Sequence, residues 1–308
     1  MGDELYKRYR PSKFSELVGQ EHVVKTLVAM GKRNAIPHCI LLSGPSGVGK
    51  TTIARILRQK LGCGDSDYEE INASDYRGIE MVRKIRSNMM MAPISGRCRV
   101  WTIDECHQLT SDAQNSFLKI LEDTPTHCYF ILSTTDPQRL KRTIITRSTE
   151  LKLGFLPPSD LSKLVSFVVK SEGMNELSES VIDKLVSVAD GSARKALVVL
   201  DTIIGVEDEA KQLEVIAKAD FKAQAIEIAR LLMNPKTEWK AMADVLKAVD
   251  EDVESLRYMV LGYCRKVMLG GRGASRAAAI IDRFQDHFYD SKAAGFALAC
   301  WDIVKGSR

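Results

Sequence analysis

At 308 residues with 45% hydrophobic content, the chain is long enough for two or three domains, each with a packed core. Lys and Arg number 44 against 40 Asp and Glu, and the net charge of +4 excludes nucleic-acid binding by global charge alone; any basic surface must be local. The seven cysteines, at 39, 63, 98, 106, 128, 264 and 300, contain no C-x-x-C pair, which argues against zinc and for reduced, mostly buried thiols in an intracellular protein.

The N-terminus, Met1-Gly2-Asp3-Glu4, is charged and has no apolar signal core, and no run approaches membrane-spanning length, so a soluble, cytosolic protein is expected. Tyr6-Lys7-Arg8-Tyr9-Arg10-Pro11 is basic and aromatic and ends on a helix-breaking proline. Val23, Val24, Leu27 and Val28 predict a helix over Gln20 to Met30.

The apolar run Cys39-Ile40-Leu41-Leu42 then leads into Gly44-Pro45-Ser46-Gly47-Val48-Gly49-Lys50-Thr51, which fits G-x-x-x-x-G-K-[ST] at every fixed position. Glycines let successive N–H groups curl around a polyphosphate, Lys50 supplies a cation for its β- and γ-phosphates, and Thr51 offers a hydroxyl to Mg²⁺. A helix continuing from Thr51 and Thr52 to Leu61 adds its positive dipole end beneath the same anion. These residues predict a nucleoside-triphosphate site.

Tyr68 to Asn72 reads as a short strand, and Gly78 to Met91 as a helix with Ile79, Val82, Ile85 and Met89 along one stripe. Met89-Met90-Met91 is read as helix packing. Arg99 to Ile103 is a strand ending on Asp104-Glu105, about fifty residues past the phosphate loop, as in a nucleotide triphosphatase. There Asp104 would hold Mg²⁺ and Glu105 would polarise the attacking water. Asp104-Glu105-Cys106-His107 also reads as a helicase box, but the last 150 or so residues offer no strands for a second motor domain.

A helix from Ser111 to Glu122, a buried strand from Cys128 to Ser133 and a helix from Leu140 to Thr146 follow. Alternating strands and helices over the first 155 or so residues predict a parallel α/β sheet. Pro157-Pro158 marks a boundary, beyond which every stripe is helical: Leu161, Leu164, Val165 and Val168; Ile182, Leu185 and Val186; and Ala196, Leu197 and Leu200. The tail from Asp220 is helical too, with a break at Gly270-Gly271.

Over nearly its whole length the chain resembles the clamp-loader ATPases of the AAA+ class. Tyr9-Arg10-Pro11 followed by Val18-Gly19-Gln20 resembles that family's N-terminal signature, and Asn72-Ala73-Ser74-Asp75 with Arg77-Gly78-Ile79 resembles a block of the eukaryotic and archaeal small subunits. Leu118-Lys119-Ile120-Leu121-Glu122 and Ser133-Thr134-Thr135-Asp136-Pro137 are closer to the bacterial motor subunit. The resemblance implies an AAA+ ATP-binding domain over 1–156, a helical lid over 157–215 and an all-α collar over 216–308 that assembles subunits into a ring, pentameric in that family.

It also implies ATP and Mg²⁺ as ligands, with a sliding clamp, primer–template DNA and other loader subunits as partners. Arg10 and Val18 would lie near adenine, Thr135 would sense the γ-phosphate, and Arg194 would reach the nucleotide from the lid. Arg147 would be an arginine finger acting on the adjacent subunit, although the family's Ser-Arg-Cys reads Thr146-Arg147-Ser148 here. The stretch from Arg77 to Arg99 carries six basic residues, Arg77, Arg83, Lys84, Arg86, Arg97 and Arg99, against one acid, Glu80. By the resemblance, Arg77, Arg83, Lys84 and Arg86, with Thr110 and Ser111 opening the next helix, would follow the DNA backbone without base specificity. The bacterial zinc insert is absent after the phosphate-loop helix and no long tail follows the collar; mixed features of both lineages would suit a phage or other mobile element.

Overall fold

The computed structural model describes residues 4–247, 249, 253–271 and 273–306. The chain divides into two compact units, Met1–Glu209 and Ala210–Arg308. The first unit therefore holds both the expected ATP-binding domain and most of the expected lid. The division falls at the start of one long helix, Glu209–Met233, which runs through the expected boundary at 215/216.

Five strands build the sheet of the first unit: β1 (Cys39–Ser43), β2 (Tyr68–Asn72), β3 (Arg99–Asp104), β4 (Cys128–Thr134) and β5 (Thr149–Lys152). All pairs are parallel, in the order β2-β3-β4-β1-β5. Alternate residues of the central strands enter opposite cores. Cys39, Leu41, Trp101, Ile103, Phe130 and Leu132 face one core, while Ile40, Leu42, Val100 and Ile131 face the other. This two-sided burial explains the nearly unbroken apolar runs in the sequence.

The first core is closed by α4 (Ile79–Asn88), α5 (Ser111–Glu122) and α6 (Arg142–Thr146), through Val82, Ile85, Phe117, Ile120 and Ile144. The second is closed by α2 (Glu21–Lys32) and α3 (Lys50–Lys60), through Val23, Leu27, Ile53 and Leu57. The short α1 (Leu5–Arg8) precedes them. The sequence reading found four of the strands and missed β5, whose four residues include only one buried side chain, Leu151. The methionine run is also corrected: Met89 is buried, but Met90 and Met91 lie past the end of α4 and are exposed.

Three helices complete the first unit: α7 (Pro158–Ser171), α8 (Glu179–Ala189) and α9 (Ala193–Ile203). Ser178 and Ser192 cap α8 and α9 by accepting the N–H groups of Val181 and Lys195. The second unit is helical: α10 (Glu209–Met233), α11 (Trp239–Leu246), α12 (Val253–Leu269), α13 (Ala274–Phe284) and α14 (Lys292–Lys305). Its core joins Ile228, Leu232, Val260 and Ile280 to the edge-on rings of Phe284, Phe288 and Phe296. Buried Arg257 is neutralised by Glu254 at 2.8 Å and donates to the Phe284 carbonyl at 3.0 Å. Among the described residues no helix is long and apolar enough to cross a membrane.

The loop between α4 and β3 is closed by a buried carboxylate. Asp67 accepts the N–H groups of Ile94 at 2.7 Å, Ser95 at 2.7 Å and Gly96 at 2.9 Å. Its side chain is fully enclosed, and Arg99 Nε lies 3.6 Å away. Burial alone would raise the Asp67 pKa, but these N–H bonds outweigh it and hold the pKa below the ordinary value. Its stabilising contribution is therefore complete above the unfolded carboxyl value of about 3.9 and is lost as pH falls through the lower folded value. Asp67→Asn should lower the thermal unfolding midpoint by several degrees at neutral pH, with the gap from wild type closing below about pH 4. Unfolding curves across pH check this; equal midpoints at neutral pH would contradict it.

Candidate functional site

The phosphate loop leaves the buried end of β1 and enters α3 at Lys50. Gly44 and Gly47 have φ of 147° and 77°, and neither has room for a side chain. A Cβ on Gly44 would meet the Leu153 carbonyl oxygen at 2.2 Å, and one on Gly47 would meet Ser192 Oγ at 2.1 Å. Lys50 is 6% exposed, and its ammonium donates to the carbonyls of Gly44 at 2.8 Å and Pro45 at 2.7 Å. Burial pushes its pKa down, against the pull of Glu105 and Asp104.

Sheet order brings the acids to this loop. β4 lies between β1 and β3, so the ends of β1, β4 and β3 present the loop, Thr135 and Asp104-Glu105 side by side. Thr51 Oγ1 donates to Asp104 Oδ2 at 3.0 Å. Glu105 adopts φ 47° and ψ 43°, a left-handed conformation uncommon for a non-glycine residue, and Thr135 Oγ1 donates to its Oε2 at 2.9 Å. One hydroxyl and one carboxylate fit Mg²⁺, which takes its remaining ligands from phosphates and water.

A cavity of about 790 Å³ opens in front of the loop. Ser46 to Thr52, Asp104 and Glu105 form its floor; Tyr6, Arg10 and Val18 form one wall; Leu164, Phe167, Arg194 and Leu197 form the other. The lid touches the loop directly, because the Arg194 N–H donates to the Gly47 carbonyl at 3.3 Å. The Arg194 guanidinium lies 5.8 Å from the centre of the Tyr6 ring. The N-terminal strap is anchored at both ends: Arg8 and Tyr9 donate to Glu172 beyond α7, and Gln20 exchanges hydrogen bonds with the Gly154 backbone. Burial and the nearby cations Arg55 and Arg194 lower the Arg10 pKa, against Glu70, in keeping with a wall suited to an anion.

Thr135, Gly44 and Pro45 instead line a neighbouring depression with Ser43, Pro137, Glu150 and Lys152. Arg147 follows α6 and lines neither space; it donates to Glu122 Oε1 at 2.6 Å and to the Thr143 carbonyl at 3.3 Å. Tyr6, Leu164 and Phe167 were missed as cavity residues. The aromatic N-terminal stretch was the available signal for Tyr6, while Leu164 read only as core stripe and Phe167 had none.

The basic stretch is only partly a surface. Arg77, Arg83, Lys84 and Arg86 are exposed, with Arg83 paired to Glu80 at 2.7 Å and Lys84 to Glu69 at 2.8 Å. Arg99 is buried and donates to the Asn88 carbonyl at 3.1 Å. Thr110 caps α5, and its N–H donates to the Arg77 carbonyl at 3.0 Å, which places Arg77 beside Thr110 and Ser111.

Lys50→Met tests the loop, since it keeps the buried stem and removes the charge. Affinity for a nucleoside triphosphate should fall by about 10- to 100-fold, the scale of lost charge-assisted hydrogen bonds. Thermal stability without nucleotide should be unchanged or higher, because the fold disfavours the charged form. Calorimetric titration and a melting curve check both; unchanged affinity would contradict the assignment.

A family model described as "DNA polymerase III, delta subunit" matches residues 65–156. The DNA polymerase III subunit gamma/tau of Mycobacterium tuberculosis is 34% identical over 223 residues, 65% of this chain and 38% of that protein. The DNA polymerase III subunit tau of Bacillus subtilis is 32% identical over 231 residues, 68% of this chain and 41% of that protein. The gamma subunit of Buchnera aphidicola is 33% identical over 218 residues, 64% of this chain and 60% of that protein. The chain thus spans less than two thirds of the length of these relatives. Among solved structures, the RuvB Holliday junction branch migration motor of Thermotoga maritima superposes with a TM-score of 0.60 at 20% identity, over 78% of this chain and 86% of that one, a likeness of fold. With the phosphate loop and acid pair on a parallel sheet, the chain is similar in sequence to DNA polymerase III gamma/tau subunits, which are clamp-loader proteins of the AAA+ class, over about two thirds of its length.

Proposed function

We propose that the chain is an ATP-hydrolysing clamp-loader subunit, which in a ring of subunits opens a sliding clamp and places it on primer–template DNA. The observation that carries this reading is the convergence of Lys50, Thr51, Asp104 and Glu105 on one cavity, in a chain whose sequence relatives are DNA polymerase III subunits. The alternatives are another AAA+ DNA motor, a branch-migration ATPase, and a clamp-loader scaffold that does not hydrolyse nucleotide. Likeness to a branch-migration motor is one of fold at 20% identity, whereas the gamma/tau likeness is one of sequence at 34%. The acid pair and Lys50 also speak against a scaffold that binds nucleotide without turning it over.

In this reading the loop N–H groups and Lys50 bind the β- and γ-phosphates. Thr51 and Asp104 hold Mg²⁺, which neutralises phosphate charge when bound. Glu105 orients and deprotonates the attacking water, and Thr135 couples Glu105 to the γ-phosphate. Arg10 and Val18 flank the base, and Arg194 closes the lid over the phosphates. Arg147 supplies its guanidinium to the neighbouring subunit's nucleotide. Arg77, Arg83, Lys84 and Arg86 follow the DNA phosphates with the α5 N-terminus at Thr110 and Ser111, so affinity should be salt-dependent and sequence-independent. Cytosolic location follows from the same role.

Steady-state hydrolysis tests the proposal. ATP turnover should rise when primer–template DNA and a ring clamp are both present. Glu105→Gln should keep ATP affinity while slowing turnover by about 10²-fold or more, the scale of a lost general base. Stimulation by four-way junctions but not by a clamp would transfer the chain to the branch-migration reading. A Glu105→Gln variant that fails to bind ATP would overturn the role given to Glu105.

A further inference from the structure

Glu105 lies against a side chain that the nucleotide site does not otherwise use. His107 is buried, and its Nδ1 lies 3.0 Å from Thr134 Oγ1 and 3.3 Å from Glu105 Oε2. On the far side of the ring, Gln108 Nε2 lies 2.9 Å from His107 Nε2. An amide NH₂ can only donate, so His107 Nε2 accepts and the ring proton sits on Nδ1. Thr134 Oγ1 already accepts the Asp136 N–H at 3.0 Å, which fits an acceptor role toward the imidazole as well. Burial lowers the His107 pKa, with Glu105 opposing, so the ring is neutral at pH 7 and the choice of tautomer matters.

We propose that His107, fixed in its Nδ1–H form by Gln108, is a positioning residue for Glu105. The inference rests on the ATPase reading above, in which Glu105 activates water. The Thr135 hydroxyl donates to Oε2, and the imidazole Nδ1, whose proton is donated to Thr134, lies 3.3 Å from the same oxygen, so one carboxylate oxygen is pinned and Oε1 is left for the water. Glu105 sits in a left-handed turn at the end of a strand, and among the described residues its carboxylate is met by the Thr135 hydroxyl and the His107 ring. Losing the imidazole edge beside Oε2 would loosen its rotamers, and a misplacement of about 1 Å costs about 10²-fold in rate.

The test joins tautomer to kinetics in the full-length chain. Heteronuclear NMR of the imidazole nitrogens, with the His107 signal assigned by its loss in His107→Asn, should show the Nδ1–H form at about pH 8, above the ordinary imidazole range. Gln108→Leu, which removes the donor to Nε2, should release that preference. His107→Ala should bind ATP within about 3-fold of wild type while kcat falls by about 10- to 100-fold. His107→Asn, whose amide can donate from near the Nδ1 position, should recover most of kcat. An Nε2–H tautomer, or a wild-type kcat in His107→Ala, would overturn the inference alone. An asparagine variant no better than alanine at equal thermal stability would do the same. A wild-type protein that turns over no ATP with DNA and clamp would overturn the ATPase reading, and this inference with it.

Discussion

A buried ammonium hydrogen-bonded to carbonyls of its own loop is the constraint on which the site depends. Lys50 begins α3 beneath the loop, almost sealed from water, and among the described residues its nitrogen donates to two carbonyls of the loop itself. Such a group is poorly compensated, because carbonyl dipoles replace hydration only in part. Phosphate oxygens would satisfy it better, with the dipole of α3 favouring the same charge. The fold thus maintains a place that is improved by a polyanion. Burial lowers the Lys50 pKa, and Asp104 and Glu105 partly offset that cost.

The lid and the N-terminal strap both depend on the shape of that loop. Gly47 has no side chain because Ser192, the cap of α9, occupies the space, and the next turn places Arg194 over the cavity. The strap reaches the same cavity from the opposite side and is tied to the lid through Glu172. Nucleotide between these walls would touch sheet, strap and lid at once, so a change at the γ-phosphate can alter how the lid sits. Such differential contact is what a nucleotide-driven switch requires.

Much of this was legible because local patterns and sheet order agree. The phosphate loop is encoded within eight consecutive residues, and the spacing of Asp104 follows from two α-helices and two strands. β2 and α5 have the same limits in the structure as in the sequence reading, since each is bounded by turn residues or a capping threonine. Features that depend on distant partners were not legible. β5 pairs with β1 across more than a hundred residues and contains one buried side chain, so it had no periodicity to read. Arg99 looked like part of a basic surface because nothing local announces that Asp67 and Asn88 lie over it. His107 appeared only as the fourth letter of a helicase-like box; its contacts with Thr134 and Glu105 require β3 and β4 to be neighbours.

In the proposed mechanism each nucleotide is hydrolysed by residues of two subunits, Glu105 from one and Arg147 from its neighbour. Arg147 lies outside its own cavity and is bonded to Glu122, which is compatible with service to another copy. The most direct measurement is DNA-stimulated ATP hydrolysis by assemblies that mix Arg147→Ala subunits with Glu105→Gln subunits, each inactive alone. Sites that pair the intact Glu105 of the first with the intact Arg147 of the second should restore part of the turnover, since an engaged arginine finger is worth about 10³- to 10⁵-fold in rate. Mixtures that stay inactive in every proportion, while still assembling and binding ATP, would contradict the account.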